Sequence, residues 1–429
     1  MTSDLIALDS KSLRSRLLLA AAILSALVFA WFGVRWQLGD MLANLTPPTD
    51  PNAPAIAALA KNLAPANPLT SWLRASSGDD GTGENSDSSL ERFEQTVRLA
   101  PYDFRWRVDL GRALEQDGQT ERAEAEFKRA VELAPSYAYP RWHLGNFYLR
   151  QKRTDEAFAQ LKKATENNIE YREQVFSLAW EYFDKDAAQI EKLAGDQPEP
   201  RASLAYFFAA HGRAADSLRN WNFLSDRDKA ANYTIGKSIT LGLYEQRHFA
   251  QALEFSKQNG NDTTASAGGV TNAGFESPTG ETETAWFSWQ IARNDPKIEI
   301  AVDSKIKHLG DRSLRVTFKS YAKSSLTNIT QTIVVEPKTR YRLRFFVRTE
   351  NLKSAAGPLI EIANANDDKS LVQSKPFPSG TSDWQEMTVE FVTPENCDGV
   401  QIRTIRSYCG DACPITGTVW YDDFGLERQ

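Results

Sequence analysis

DLGRALEQDGQTERAEAEFKRAVELAP, residues 109–135, is followed by HLGNFYLRQKRTDEAFAQLKKA, residues 143–164, and the second repeats the chemistry of the first. Leu110 and Gly111 return as Leu144 and Gly145, Ala123 as Ala157, and Ala130 as Ala164, each 34 residues on. Phe93 with Phe127 and Pro101 with Pro135 keep the same offset. Small residues at these places let two helices approach closely, large ones fill the groove between them, and proline stops the second helix. A period of this length with helical spacing inside it predicts stacked helix pairs.

The pattern Leu110-Gly111, Ala123, Phe127, Ala130, Pro135 resembles the tetratricopeptide repeat. LERFEQTVRLAP, residues 90–101, supplies a preceding half-repeat. Residues 174–195, 201–224 and 235–258 still read as helix pairs, with second helices shortened or offset, as expected near the end of an array. Residues 87–258 are therefore expected to form one solenoid of about four to five repeats. The resemblance implies a groove that holds a segment of a protein partner. Aromatics such as Trp106, Trp142 and Trp180 fill the core between repeats or line that groove, and helical spacing leaves both placements open.

At Asn259 the texture changes. Residues 259–269 read as a linker, and period-2 alternation then replaces helical spacing, in segments such as SLRVTFKS, RYRLRFFVRTE and GTVWYDDFGLE. Many short strands divided by turn residues predict a two-sheet sandwich over 270–429. The ordered blocks NAGFES, GDRSLRV, ITQTIVVEPKTRYRLRFFVRT, DWQEMTVEFVTP and TVWYDDFGLE resemble the jelly-roll carbohydrate-binding modules of the galactose-binding-like type. That sandwich also serves purposes that involve no glycan.

The N-terminal part adds an anchor. Leu17 to Val34 is an uncharged apolar run of eighteen residues, close to the ~20 that cross a bilayer as a helix. Lys11, Arg14 and Arg16 precede it, so the positive-inside rule keeps residues 1–16 in the cytoplasm, makes 17–36 the transmembrane anchor, and exports the bulk to a periplasmic or extracellular space. A signal peptide cleaved before Trp31 is the alternative. Residues 37–86, rich in Pro and then in Ser, Gly and Asp, read as a linker with short helices inside it, where the helical periodicity of 55–75 fits a short helical hairpin or a partial repeat. The expected fold class is thus multidomain: a transmembrane helix, an all-α tetratricopeptide solenoid and an all-β jelly-roll sandwich.

Composition narrows function. A net charge of −6 gives no basic surface for nucleic acid. The three cysteines fall short of the four ligands of a structural zinc site. Cys409 and Cys413 are a candidate disulfide, with Cys397 left over; free thiols are the alternative. No nucleophile motif or phosphate-binding glycine loop is present, and no catalytic site is expected.

Asp422 and Asp423 are adjacent on a strand and so point to opposite faces, which rules out a pair flanking one sugar. Regular alternation places Asp422 inward beside Phe424 and Leu426, and Asp423 on the surface. The resemblance implies a structural calcium near the meeting of first and last strands, with Glu276, Asp422 and a backbone carbonyl near Asp311 as ligands; a carboxylate bonded to backbone or arginine without an ion is the alternative. For a glycan, Arg342, Arg344, Phe346 and Arg348 share one strand face. If Arg403 adjoins them, a basic surface suited to acidic polysaccharide results; a solvated charged face is the alternative. Trp286, Trp289 and Tyr321, expected in loops or at strand edges, are candidates for stacking on a sugar ring. The function expected is a membrane-anchored adaptor that holds a protein partner and an envelope glycan, in polysaccharide assembly or export. The alternative is a protein-assembly scaffold whose sandwich binds no sugar.

Overall fold

The structure, a computed structural model, describes residues 12–77, 89–262, 264–277, 285–293, 295–321, 326, 328–410 and 413–429. Lys11 with the rest of 1–11, and the Ser/Gly/Asp-rich linker at 78–88, lie outside the described residues. The chain divides into two compact units, 1–175 and 176–429.

The first unit opens with α1 (Leu13–Leu45). It continues with α2 (Ala53–Leu63), α3 (Pro68–Ser76), α4 (Ser89–Leu99), α5 (Phe104–Gln116), α6 (Thr120–Leu133), α7 (Ala138–Arg150) and α8 (Thr154–Asn167); α9 (Ile169–Tyr182) runs across the boundary. Among the described residues α1 is the helix long and apolar enough to cross a membrane. Helices pack as antiparallel pairs through small residues. A Cβ on Gly145 would lie 2.8 Å from Leu161 Cγ, which is why only glycine fits there.

The repeats begin earlier than residue 87. Leu63-Ala64-Pro65 ends α2 as Leu99-Ala100-Pro101 ends α4 and Leu133-Ala134-Pro135 ends α6. In each, the alanine carbonyl accepts an N–H three residues on, at 3.1 to 3.2 Å. The partner of α2 is the end of α1 itself, where Gly39 and Ala43 are buried. A Cβ on Gly39 would lie 2.7 Å from Ala64 Cβ, and Arg35 donates to Asn62 O at 2.8 Å. Residues 39–77 are therefore packed repeat and not spacer: alanine-rich helices bury enough apolar surface to order a segment whose prolines suggest a linker.

In the second unit come the end of α9, α10 (Ala187–Ala194), α11 (Pro198–Ala210), α12 (Ala214–Asn222), α13 (Asp226–Ala231), α14 (Tyr233–Glu245) and α15 (Phe249–Gln258). A recurrent latch identifies the repeat here despite the decayed consensus. Arg107 donates to Pro101 O at 3.0 and 2.8 Å and to Glu126 at 2.6 Å. Arg141 repeats this with Pro135 O and Gln160, and Arg201 with Gly195 O and Asn220. Each guanidinium ties the preceding turn to the second helix of its own pair.

Among the described residues ten strands follow: β1 (Gln290–Ile291), β2 (Ile298–Asp303), β3 (Ser313–Tyr321), β4 (Ile329–Val334), β5 (Arg340–Ser354), β6 (Pro358–Asn364), β7 (Ser370–Gln373), β8 (Gly380–Val392), β9 (Gly399–Arg406) and β10 (Ile415–Arg428). They form two antiparallel sheets, ordered β1-β4-β9-β6-β7 and β2-β3-β10-β5-β8, over a core that includes Phe345, Val347, Ile362, Ile402 and Tyr421. The expected linker at 259–269 is instead a buried connection. Asn261 donates to Thr240 Oγ1 at 3.1 Å, and Ala265 joins an apolar cluster containing Leu243, Phe249, Val334 and Ala365. The last helices and the sandwich thus share a core.

Candidate functional sites

The last strand does not alternate regularly. Asp423 has φ of 50°, and pairing with β5 skips between Asp422 and Gly425. This bulge turns both Tyr421 and Phe424 into the core and leaves Asp422 opposite Phe346 on the outer face. Asp422 is nonetheless fully buried, because the 304–312 loop covers it: His308 N–H donates to Oδ2 at 2.8 Å, and Asp423 N–H to Oδ1 at 2.8 Å. Burial pushes its pKa up to about 6; those N–H bonds oppose the shift and the neighbouring Asp423 charge adds to it. Asp423 is not a free surface residue either, since His308 Nδ1 lies 2.6 Å from its Oδ2.

Glu276 approaches the same place. Its Oε1 accepts the N–H of Asp311 at 2.8 Å and of Arg312 at 3.2 Å. A Cβ on Gly274 would sit 3.5 Å from Asp422 Oδ1 and 3.7 Å from Glu276 Oε1, so the two carboxylates converge on one bare glycine. The Asp311 side chain is 91% exposed beside Lys307, and only its backbone is near. Among the described residues no three His, Cys, Asp or Glu side chains gather as a metal set. The oxygens shown here are those of the two carboxylates, and the backbone groups recorded against them are N–H donors, which satisfy the carboxylates without an ion.

The outer face of the β5 sheet is not the basic surface expected. Arg342 pairs with Glu390 at 2.7 Å and Arg348 with Asp383 at 2.9 Å, because β8 places carboxylates opposite the arginines. Arg344 lies over Phe346, 5.7 Å to the ring centroid, and Phe346 stacks on His308 at 3.8 Å. Arg403 is on β9, in the other sheet, and cannot adjoin them. The three aromatic candidates are also displaced. Trp289 and Tyr321 belong to the sandwich core, with Trp289 Nε1 donating to Asn272 O at 3.1 Å. Trp286 packs into the cluster shared with the helices. In each case the large ring is used for packing, which strand-edge position in the sequence does not reveal.

Arg403 instead belongs to a polar ladder across the outer face of the other sheet. Register places Thr330, Arg403, Glu361 and Gln373 side by side on β4, β9, β6 and β7. Arg403 Nε donates to Glu361 Oε2 at 2.5 Å, and Gln373 Nε2 to Oε1 at 3.0 Å. Burial raises the Glu361 pKa, but hydrogen bonds from Gln373, Ser370 and Arg403 outweigh it and hold the carboxyl below its ordinary value. One end of this face is walled by the helices: Tyr244 Oη lies 2.8 Å from Thr332 Oγ1, and Phe249 sits where a side chain on Gly399 would be. Glu361 and Gln373 escaped sequence reading; the available signal was a glutamate interrupting the apolar run PLIEIA.

In the first unit, side chains of α3, α5 and α7 line two adjoining hollows of about 500 and 600 Å³ that share Arg112 and Gln116. Trp72 Nε1 donates to Asp109 Oδ2 at 2.8 Å, and Trp72 packs on Trp106. Arg112, 3.7 Å from Asp109, is 54% exposed between the hollows. Arg150 holds Glu115 with two bonds of 2.7 Å. Burial first, then Arg112 and Arg150, pushes the His143 pKa down to about 4. Trp142 and His143 thus line the groove, while Trp106 and Phe147 fill the core. Elsewhere Cys409 and Cys413 are disulfide-bonded, and Cys397 is buried and free.

Family comparisons agree with this architecture. Residues 82–138 and 114–178 match tetratricopeptide repeat models, and 267–406 match a carbohydrate binding domain. The chain therefore carries tetratricopeptide repeats followed by a CBM4-like carbohydrate-binding domain, both of them binding modules. A CBM4 structure is 18% identical, with 37% of this chain and 99% of that one aligned and a TM-score of 0.27. YrrB, described as a TPR protein with an unusual peptide-binding site, is 16% identical over 40% of this chain and 91% of its own, with a TM-score of 0.21. The tRNA nuclease WapA of Bacillus subtilis (strain 168) is 23% identical over 199 residues, which are 45% of this chain and 8% of WapA.

Proposed function

We propose that this chain is a membrane-anchored, exported, non-catalytic adaptor. Its repeats hold a segment of a protein partner, and its sandwich holds a cell-envelope glycan, in the setting of polysaccharide assembly or export. The observation that carries the glycan half is the Gln373–Glu361–Arg403 ladder. A nearly buried ion pair is a poor stabiliser of a sheet face. As a fixed row of donors and acceptors with Arg403 Nη groups beside it, it is suited to reading sugar hydroxyls. The groove around Arg112, flanked by Trp72 and Trp142, offers a cation and aromatic surface to a peptide carboxylate. Arg14 and Arg16 before the apolar run of α1 support an N-terminus in the cytoplasm.

Calcium is part of the proposal: Asp422 and Glu276, with backbone carbonyl oxygen near Asp311, would hold the ion, which neutralises the buried carboxylate and fastens the 304–312 loop to β10. Affinity electrophoresis of the full chain in gels cast with neutral or uronic-acid polysaccharides tests the glycan half. Retardation in at least one gel is expected, and equal mobility in all of them would contradict it. A second reading, a scaffold whose sandwich is structural, is favoured by the ion pairing of the β5 face and by the helices packed on the β4–β9 end. Retardation would count against it.

A further inference from the structure

The connection between β9 and β10 carries the disulfide Cys409–Cys413, whose cysteines are four residues apart. A loop that short removes less entropy from the unfolded chain than a long one, so stapling is a weak use of the bond. Its two sulfurs also stand in different surroundings. Cys413 is 1% exposed, whereas Cys409 is half-buried and follows Ser407 and Tyr408, both exposed. An incoming thiolate therefore reaches Cys409 and not Cys413.

The second observation is a charge beside the sheltered sulfur. Arg406, the last residue of β9, is buried, and its Nη2 lies 3.0 Å from Cys413 Sγ and 2.9 Å from Cys413 O. The guanidinium is fixed in that place: Nη2 also donates to Ser354 Oγ at 2.8 Å, and Nε to Ala356 O at 3.2 Å. Burial pulls the Arg406 pKa below its ordinary value, as it does for a cation that has lost water, and a thiolate beside it offsets that loss. We propose that Cys409–Cys413 is a site of thiol–disulfide exchange, attacked at Cys409 and opened with Cys413 as the leaving thiolate beside Arg406. A cation next to a sulfur favours its thiolate, and a stabilised thiolate makes the disulfide easier to reduce.

The co-substrate is a thiol reductant, for which glutathione is the probe. One glutathione thiolate bonds Cys409 Sγ, the bond between the two cysteines breaks, and its electron pair departs on Cys413. A second glutathione thiolate attacks the glutathione sulfur of this mixed disulfide; glutathione disulfide forms, and Cys409 departs as a thiolate and takes a proton from water. The protein gains two electrons and the two glutathiones lose two. Of the two thiol protons one ends on Cys409 and one goes to solvent, because Cys413 stays ionised.

The site is tested by equilibrating the full chain with mixtures of glutathione and its disulfide at neutral pH, then acid quenching, alkylation and peptide mass spectrometry. The wild-type bond is expected to open in millimolar glutathione, with the trapped mixed disulfide on Cys409. A bond that stays closed overturns the site, and a mixed disulfide on Cys413 overturns the direction of attack. Arg406→Met is expected to lower the equilibrium constant for reduction at least tenfold, and an unchanged constant in the folded variant overturns the role of the guanidinium. Because a change at a buried arginine can cost the fold, Cys409→Ser with Cys397→Ala supplies a second reading. The Cys413 thiolate, followed by its ultraviolet absorbance, is expected to form below the ordinary cysteine value of about 8.5, and formation at or above it overturns the proposal.

Discussion

Asp422 is a carboxylate placed where water cannot reach it, held by the backbone N–H groups of His308, Leu309 and Asp423 and faced by Glu276 across a bare glycine. If calcium sits there, removing it leaves a buried charge to be protonated or exposed. Chelation is accordingly expected to lower the melting temperature of the full chain by several degrees, and Asp422→Asn to abolish the difference between calcium and chelator. Equal melting of the wild type in both conditions would rule the ion out. His143 makes an independent residue-scale prediction. Its pKa of about 4 lies below the ordinary 6.5, so the unfolded chain binds the proton first as pH falls. The stability from neutral His143 is complete above 6.5 and is lost between there and about 4, at most about 3 kcal/mol. The difference in urea stability between wild type and His143→Phe should therefore change over that interval, and a constant difference would show that His143 titrates normally.

Between residue and domain, the local devices are what the sequence conceals. Period-2 alternation placed Asp422 inward, because one extra residue at Asp423 is invisible to a pattern count; the bulge shows as a left-handed φ and a skip in the pairing with β5. The arginine latch, by contrast, was legible in principle: Arg107, Arg141 and Arg201 each sit six residues after the carbonyl they bind. It lies outside the Gly, Ala and Pro positions that define the repeat pattern. Arg201→Ala is expected to destabilise the chain by about 1–3 kcal/mol, losing charge-assisted bonds to Gly195 O and Asn220. Urea unfolding within 0.5 kcal/mol of wild type would make the latch incidental. The joint of α15 with the sandwich was also hidden, since its glycine and asparagines resemble a linker. Phe249→Ala should cost about 3 kcal/mol and lower the melting of the sandwich together with the helices, as a shared core requires. A sandwich transition left in place would show that the two melt separately.

For the whole molecule, repeat period and strand alternation were enough to read a solenoid and a sandwich, and the apolar run to read a long helix that is a candidate span, because each is set by spacing over many residues. The proposed glycan surface was not legible: it depends on which strands become neighbours, and the arginines of β5 and β9 fall in different sheets. The proposed membrane orientation rests on charge alone and predicts that protease added outside sealed vesicles, in the periplasmic or extracellular sense, digests residues beyond Val34. Protection of the C-terminus would place the sandwich in the cytoplasm.

The adaptor account depends most on the ladder across β7, β6 and β9. Replacing a buried ion pair by apolar residues of similar size is often neutral for stability, so Glu361→Leu with Arg403→Met separates binding from folding. Calorimetry of the full chain with the polysaccharide that retards it most should give heat for the wild type and for Arg344→Ala, and none for the double variant at unchanged melting temperature. Undiminished affinity in the folded double variant would contradict the account.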